Sequence, residues 1–482
     1  MRKTILLLTV LGLGTSASWA QSKLLLKDYL EQVKGKGSAF QASQAAVEGF
    51  EKQSHQQDLL YSPQLVASYN HLNDKSPQAN NPFYPGQTLA DSFGVSLTNK
   101  LPFGPSISLG YAFNNINLNY PSSSAFPGFS FMNEYYQVSP VASLSLPLFK
   151  DFGGSQTAAG VKMVQYQLES AAKNSAFQRE QSLFNAKVTY WKLALAREVE
   201  DIRKDTLERS QKIWEWTKRR VARNLADPPD ALQAEASVRL AELDLQTAQE
   251  NERSARLALN RFRNAADDAV PETLETVEDS LAGIKVNIPS ALPDRLDLQA
   301  VQKNAQQQKA TFDQAYQNIY PDLTAMASWR GNGLDPQFSP ANDMAFQFNR
   351  PTWTLGAQLN VSLDVFTAQR TADGYERNYK SALLALKDKE IGVSQEWKDL
   401  NDHLTEVDKR LAMATQIEDI QKNKANEERR RLELGRTTQF QLLSFENDYS
   451  LARLNRLSLV LEKLTYLAQA QSWLADEKGE VQ

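Results

Sequence analysis

Tyr61-Ser62-Pro63-Gln64-Leu65 and Ile319-Tyr320-Pro321-Asp322-Leu323 give the same local instruction twice. Each ends a helix-like stretch and opens strand-like sequence, with proline where helical backbone must stop. The first strand region closes at Leu146-Pro147-Leu148-Phe149 and the second at Leu363-Asp364-Val365-Phe366, and a very long helical pattern follows each. Both long helices break at a short tip, Asn224-Leu225-Ala226-Asp227 in one half and Gly435-Arg436-Thr437-Thr438 in the other. The halves share ordered landmarks rather than identity. A duplicated unit of this size points to a symmetric tube or bundle rather than an enzyme pocket.

The strand regions alternate with period two. Leu65, Ala67 and Tyr69 share one face, as do Phe93, Val95 and Leu97, then Ile107, Leu109, Tyr111 and Phe113. Val138, Ala142, Leu144, Leu146 and Leu148 form another such row, interrupted by Pro140. In the second half Leu323, Ala325, Ala327 and Trp329 are followed by Trp353, Leu355, Ala357, Leu359, Val361, Leu363 and Val365. The opposite faces are mostly Ser, Thr, Gly, Asn and Gln, so each strand has one apolar and one small polar face. A soluble sandwich also alternates. An outer-membrane barrel does so with its apolar face toward lipid and its polar face toward a water-filled lumen. In that case Pro102-Phe103-Gly104-Pro105 is a periplasmic turn, and 73–90, 119–133 and 331–351 are extracellular loops.

From about Gln156 to Arg223 and from about Ala368 to Leu434 there is no Pro and almost no Gly. Each stretch runs about 65–70 residues, or roughly 100 Å of helix. Leu400, Leu404, Val407 and Leu411 step by fours and threes, as do Leu457, Leu461, Leu464 and Ala468, which makes narrow coiled-coil seams. An antiparallel coiled-coil rod satisfies these helices equally well but leaves the strands unexplained.

Arg2 and Lys3, the apolar run Ile5 to Leu13, and Ser18-Trp19-Ala20 read as a secretory signal, with the mature chain starting at Gln21. No Cys follows, so neither lipidation nor a disulfide is available. Charged residues make up 23% of the chain, and the net charge of −4 becomes −6 without Arg2 and Lys3. That balance gives no electrostatic case for nucleic acid. No apolar run after residue 20 is long enough for a membrane helix, so a membrane role requires a barrel. His55, His71 and His403 are widely spaced and form no metal-ligand cluster; phosphate-loop, dinucleotide and nucleophile-elbow motifs are absent. No cofactor and no catalysis are expected. Glu427-Glu428 beside Arg429-Arg430-Arg431 reads as a solvated helix face.

The expected organisation is a signal peptide (1–20), a first repeat (21–264), a connector (265–292) and a second repeat (293–482). The first repeat comprises helix 22–60, strands 64–149, long helix 155–224 and return helix 228–264. The second comprises helix 293–319, strands 322–366, long helix 368–434 and return helix 438–476.

Over essentially the whole mature length the chain resembles the TolC family of outer-membrane efflux and secretion channels. The resemblance rests on the duplicated plan, Pro63-x-Leu65 and Pro321-x-Leu323, Leu146-Pro147-Leu148-Phe149 with the later Gly153-Gly154, and Arg295-Leu296-Asp297-Leu298. It also rests on Leu434-Gly435-Arg436-Thr437 and on Asp230-Ala231-Leu232-Gln233-Ala234-Glu235. It implies an α+β membrane protein, a homotrimer whose antiparallel barrel takes four strands per chain and continues into a periplasmic α-helical barrel. The implied role is to export substrates from a tripartite efflux pump or type I secretion system. The implied partners are a periplasmic adaptor, an inner-membrane pump of the RND, ABC or MFS type, and outer-membrane lipid. Adaptor hairpins would dock at Asn224, Leu225, Ala226, Asp227, Leu434, Gly435, Arg436 and Thr437. Gly435 and Asn224 take equivalent places as left-handed caps, and Pro228 and Pro229 suit the first turn of the returning helix.

The family's periplasmic gate places acids, a Tyr and an Arg beside the second tip. Here Gln441 and Ser444 stand where acids are expected, Leu432 where the Tyr is and Thr437 where the Arg is, while Asp230 is retained in the first repeat. Six strand-like segments occur rather than four, the additional pair lying around Pro102–Pro105. Either that hairpin is an insertion at the barrel's rim or equator or the trimer closes a wider barrel of about eighteen strands, and the matching helical tube favours the smaller count. The competing readings are a non-channel coiled-coil structural protein of the periplasm or cell surface, and an envelope enzyme. A constriction lacking its second-repeat acids concentrates cations less. Single-channel reversal potentials are therefore expected to show weak cation preference; strong preference abolished by substitution at Gln441 or Ser444 contradicts this.

Overall fold

The computed structural model describes residues 23–76, 84–120, 132–284, 289 and 291–475. The expected signal peptide lies outside them, as do the centres of the expected loops 73–90 and 119–133 and part of the connector. The elements run β1 (Lys23–Leu24), α1 (Leu26–Lys36), α2 (Ser38–Ser54), β2 (Gln64–Asp74), β3 (Gln87–Lys100), β4 (Ser106–Asn119) and β5 (Glu134–Pro147). Next come α3 (Ser155–Ala222), α4 (Pro228–Phe262), β6 (Thr273–Leu274), α5 (Val277–Gly283), α6 (Leu296–Gln317) and β7 (Asp322–Arg330). Then follow β8 (Gly333–Asp335), α7 (Phe338–Phe346), β9 (Thr352–Asn360), α8 (Val365–Glu433) and α9 (Gln439–Leu474).

The chain forms two compact units, and these are not the two sequence repeats. One takes the residues up to Ala45, Ala176–Arg295 and those from Ser394; the other takes Ala46–Ser175 and Leu296–Val393. Each draws on both halves: β5 of the first repeat pairs with β7 of the second, and α3 of the first meets α9 of the second.

The first unit is helical. Arg203 of α3 pairs with Asp244 of α4 at 2.9 Å, and Arg197 with Glu252 at 3.2 Å. On its other side, α3 meets α9 through Thr217 and Gln439 at 2.6 Å. In turn α9 meets α8 through Lys463–Asp408 at 2.6 Å and Lys424–Asp448 at 3.2 Å. Thus α3 lies against both α4 and α9, α4 and α9 also approach each other directly, and α8 packs on α9. The core of this unit gathers Tyr29, Val33, Tyr190, Trp191, Leu193, Leu259, Leu457 and Leu464, all fully buried. Each large apolar side chain of this kind contributes about 1.5–3 kcal/mol. The Tyr190 hydroxyl donates to the Leu24 carbonyl at 2.6 Å and accepts from the Glu275 N–H at 3.1 Å, and burial pushes its pKa up to about 12. The connector is thus held as structure: β6 pairs in parallel with β1, and Arg197 caps the Val270 and Glu272 carbonyls.

The second unit carries the sheet. Its strand path is β2-β3-β4-β5-β7-β9, all antiparallel, with β8 pairing to β5 off the path. This corrects the preference for four wall strands. The additional hairpin, β3 and β4, is hydrogen-bonded between β2 and β5 over most of its length, so six strands form the path of this seven-stranded sheet. Its ends are fixed by a tight turn in which the Gly104 N–H donates to the Leu101 carbonyl at 3.0 Å with Gly104 at φ +107°. That turn packs on Gly154, where a Cβ would lie 2.2 Å from the Pro102 carbonyl oxygen. Lys100 at the end of β3 donates to Asp151 at 3.1 Å, and Asp151 also accepts the Thr157 N–H at 2.9 Å.

Two further corrections concern the second half. The strand expected to run to Phe366 ends at Asn360, and α8 starts at Val365 rather than Ala368. Asp364 causes this: its carboxylate accepts the Thr367 N–H at 3.0 Å and so caps the helix inside the alternating pattern. The stretch 331–351, expected as a plain loop, holds β8 and α7. Ala341 and Ala345 of α7 bury against Val138, with Tyr111, Phe113 and Tyr136 around them. Gly331 and Gly333 permit that approach, since Cβ atoms there would lie 2.1 Å and 1.7 Å from the Ala345 and Ala341 carbonyl oxygens.

Burial pushes the Asp151 carboxyl up, but the hydrogen bonds from Thr157 and Lys100 outweigh it and hold the group below its ordinary value. A depressed carboxyl stabilises the fold above its unfolded-state pKa, and that contribution is lost as pH falls through the folded-state value. Asp151→Asn is expected to lower the melting temperature at pH 7, with the gap to the parent closing below about pH 4. Equal gaps at both pH values contradict the clamp.

Candidate functional site

Two features of the chain can carry function: the faces of the sheet and the tips of the long helices. In an antiparallel sheet, directly opposed residues share a face. The register puts Leu65, Leu97, Leu109, Ala142, Trp329 and Trp353 in one row across all six path strands. The adjacent row, on the other face, is Val66, Ser96, Gly110, Val141, Arg330 and Thr352. On β3 and parts of β4 and β5 the apolar face is the more open one, on β2 and β9 both faces are exposed, and on β7 Met326 and Arg330 of the other face are more exposed than Trp329. Leu65 is 71% exposed, Trp353 69% and Leu355 80%. Along β3, Phe93, Val95 and Leu97 are exposed while Ser92, Gly94, Ser96 and Thr98 are half-buried. This inverts the rule for a sheet in water, where the apolar side turns inward. Aromatic rings cluster on this face: Tyr69 and Phe93 lie 4.8 Å apart, Phe93 stacks on Phe113 at 4.7 Å, and Phe346 of α7 stacks on Tyr111 at 6.2 Å.

The two tips share one backbone design. After α3, the Asn224 N–H donates to the Val221 carbonyl at 2.9 Å and the Leu225 N–H to Arg220 at 2.9 Å. After α8, the Gly435 N–H donates to Leu432 at 2.9 Å and the Arg436 N–H to Arg431 at 2.9 Å. Asn224 and Gly435 have φ of 54° and 71°. Both are Schellman terminations, with the left-handed residue at equivalent places. Pro228 and Pro229 open α4, whose cap is Asp227, and Thr438 caps α9 by accepting the Gln441 N–H at 3.3 Å. Four large apolar side chains stay exposed around the tips: Leu225, Leu232, Leu434 and Phe440. Ala226 is half-buried, and Asp227 and Arg436 are exposed.

The expected gate residues are not gathered into one cluster. Asp230 is a capping group: its carboxylate accepts the Asp227 N–H at 3.3 Å. Gln441 and Ser444 are exposed on the first turns of α9. Leu432 lines a cavity of about 680 Å³ with Arg209, Lys212, Trp216, Leu442 and Glu446, and Ser444 lines a second of about 270 Å³. Sequence reasoning missed the charged groups between them. Glu446 of α9 is buried and meets Arg209 of α3 at 3.0 Å and Arg429 of α8. Glu428 is also buried, against Arg431 at 3.5 Å and the Thr437 hydroxyl. The run 427–431 is therefore divided: Glu427 and Arg430 pair in solvent, as expected, whereas Glu428 is buried and the exposed Arg429 reaches the buried Glu446. The signal for Glu446 was available, because Leu442, Glu446 and Ser450 step along the buried seam of α9 and two of the three are polar.

A seven-stranded antiparallel sheet with an exposed apolar face and very long paired helices in one chain define the fold of an outer-membrane channel-tunnel. The solved structures similar to the chain have that fold. Campylobacter jejuni CmeC, an outer-membrane channel, aligns at TM-score 0.64 and 12% identity over 93% of this chain and 84% of its own. Vibrio cholerae VceC, an outer-membrane protein, aligns at 0.62 and 15% over 93% and 95%. CusC aligns at 0.65 and 13% over 96% and 95%. No family model and no curated protein matches the sequence. The chain thus shares the TolC-type fold that its landmarks resemble.

Replacing Gly435 by Ala places a Cβ in left-handed backbone and is expected to cost about 1–2 kcal/mol. Asn224→Gly, at the equivalent turn, is expected to change stability by less than about 0.5 kcal/mol. Chemical denaturation measures both; equal losses contradict the equivalence of the tips.

Proposed function

We propose that this chain is a trimeric outer-membrane channel-tunnel that carries substrates across the periplasm and outer membrane of a Gram-negative bacterium. It would serve a tripartite efflux pump or a type I secretion system. The observation that carries this reading is the exposed apolar face of the sheet: it is open along β2, β3 and β9, and along β3 the small polar face is the more enclosed one. Lipid outside and water inside is the environment that suits such a wall. Among the described residues no helix is long and apolar enough to cross a membrane, so any crossing falls to the strands.

The helical unit supports assembly. Two of its helices keep exposed apolar residues at coiled-coil spacing, Leu240 and Leu243 on α4 and Met413, Ile417 and Ile420 on α8. A neighbouring copy would cover each stripe, and three copies is the number that the resemblance implies. Leu225, Leu232, Leu434 and Phe440 give the tips apolar contacts suited to the helical hairpins of a periplasmic adaptor, which links the channel to an inner-membrane pump. Asn224, Ala226, Asp227, Gly435, Arg436 and Thr437 shape those contacts. The proposed gate region holds Leu432, Gln441 and Ser444 beside the Arg209–Glu446–Arg429 bridge, with Asp230 fixing the first tip. The exposed apolar sheet is the observation against a soluble coiled-coil scaffold, which would leave it facing water.

Membrane-extracted protein is expected to migrate on gels as a heat-modifiable trimer, to fractionate with the outer membrane and to give step conductances in a planar bilayer. Recovery as a soluble, non-conducting rod overturns the proposal.

A further inference from the structure

The sheet of one chain is open. Its edges are β2 and β9, every residue of β9 is exposed, and β2 is exposed along all but its last position. Exposed edges in monomeric proteins are blunted by lysine, proline, bulges or covering elements. These edges carry no such device: Thr352–Asn360 has neither charge nor proline, and Gln64–Asp74 has no lysine or proline and a single acid at its end. Two such edges meet without like-charge repulsion.

Direction and face also agree. The strands alternate along the path, so β2 and β9 run antiparallel to one another, as an even strand number requires. Trp353, Leu355, Ala357 and Leu359 of β9 occupy the same face as Leu65, Ala67 and Tyr69 of β2. Bringing β9 of one copy beside β2 of the next continues both faces without a break, provided outward residues pair with outward ones. A one-residue slip would turn the apolar row into the lumen, so half of all registers are excluded. A nine-residue seam supplies about nine ladder hydrogen bonds, close to the roughly ten of a stable protein–protein interface.

We infer that the occupant of each edge is a second copy of this chain, and that β9–β2 seams close three copies into a barrel of about eighteen strands, with β3 and β4 as full wall staves. This rests on the trimeric channel reading above and sets the width of its outer-membrane portion. Barrel diameter grows about linearly with strand number, so the wall is about one and a half times as wide as a twelve-stranded one. Barrels of sixteen to eighteen strands enclose an aqueous channel.

Because the chain lacks Cys, introduced thiols report cleanly. In outer membranes, Ala67→Cys is combined in turn with Leu355→Cys, Ala357→Cys and Leu359→Cys. One combination is expected to give disulfide-linked multimers on oxidation. Single variants Ser96→Cys and Ser108→Cys are expected to react with a water-soluble maleimide at least roughly tenfold faster than Val95→Cys and Leu109→Cys, following the lumen–lipid alternation. Cross-linked trimers with equal reactivity at all four positions overturn the wide barrel and leave the channel reading standing. Absence of any cross-link, in variants that still fractionate as trimers, overturns the β9–β2 seam. Failure of the parent to enter the outer membrane overturns both readings.

Discussion

An antiparallel sheet whose exposed side is its apolar side cannot stand alone in water. Soluble monomers seldom expose contiguous apolar patches above a few hundred Å². Here outward Leu, Val, Ile, Tyr, Phe and Trp residues run across six strands. Three consequences follow. In the proposed channel lipid covers the face, strands of neighbouring copies cover the two free edges, and the small polar face becomes the wall of a lumen. The Asp151 clamp and the Pro102–Pro105 turn on Gly154 belong to the same requirement, because they tie the ends of the wall strands to the start of α3.

The helical unit answers a different constraint. Long, mostly polar helices are stable only where neighbours cover their seams. Within one chain, α3 and α9 are flanked on both sides, whereas α4 and α8 each keep an exposed apolar stripe. Near the tips the packing turns from apolar to ionic, with Glu446 between Arg209 and Arg429. Such a bridge contributes geometry more than net stability, since desolvating the carboxylate offsets much of its attraction to the guanidiniums. The two tips share a backbone termination yet present different chemistry, with Leu225 in one and Arg436 in the equivalent place of the other.

Much of this was legible in the residues, for reasons that can be named. Period-two alternation marked all six path strands, and Gly435 with Asn224 marked both reversals, because left-handed backbone restricts residue choice. The place of β3 and β4 within the wall was not legible, since strand order is set by pairing between distant segments. The end of β9 was misread because Val361, Leu363 and Val365 continue the alternation, while Asp364 overrides it with one cap. The helix α7 is short and flanked by Pro and Gly, and it forms because Ala341 and Ala345 fit beside Val138. Asp230, read as a gate residue, closes a capping box with Asp227, and Glu446, which no sequence motif singled out, is buried.

In the proposed channel the row containing Trp329 and Trp353 faces lipid. Tryptophan fluorescence in vesicles of lipids brominated along their acyl chains tests it directly. Bromine quenching is expected to fall sharply when Trp329 and Trp353 are both replaced by Phe, and to be unchanged when Trp214 and Trp216 near the helix tips are replaced instead. Quenching that survives loss of Trp329 and Trp353 would contradict the account.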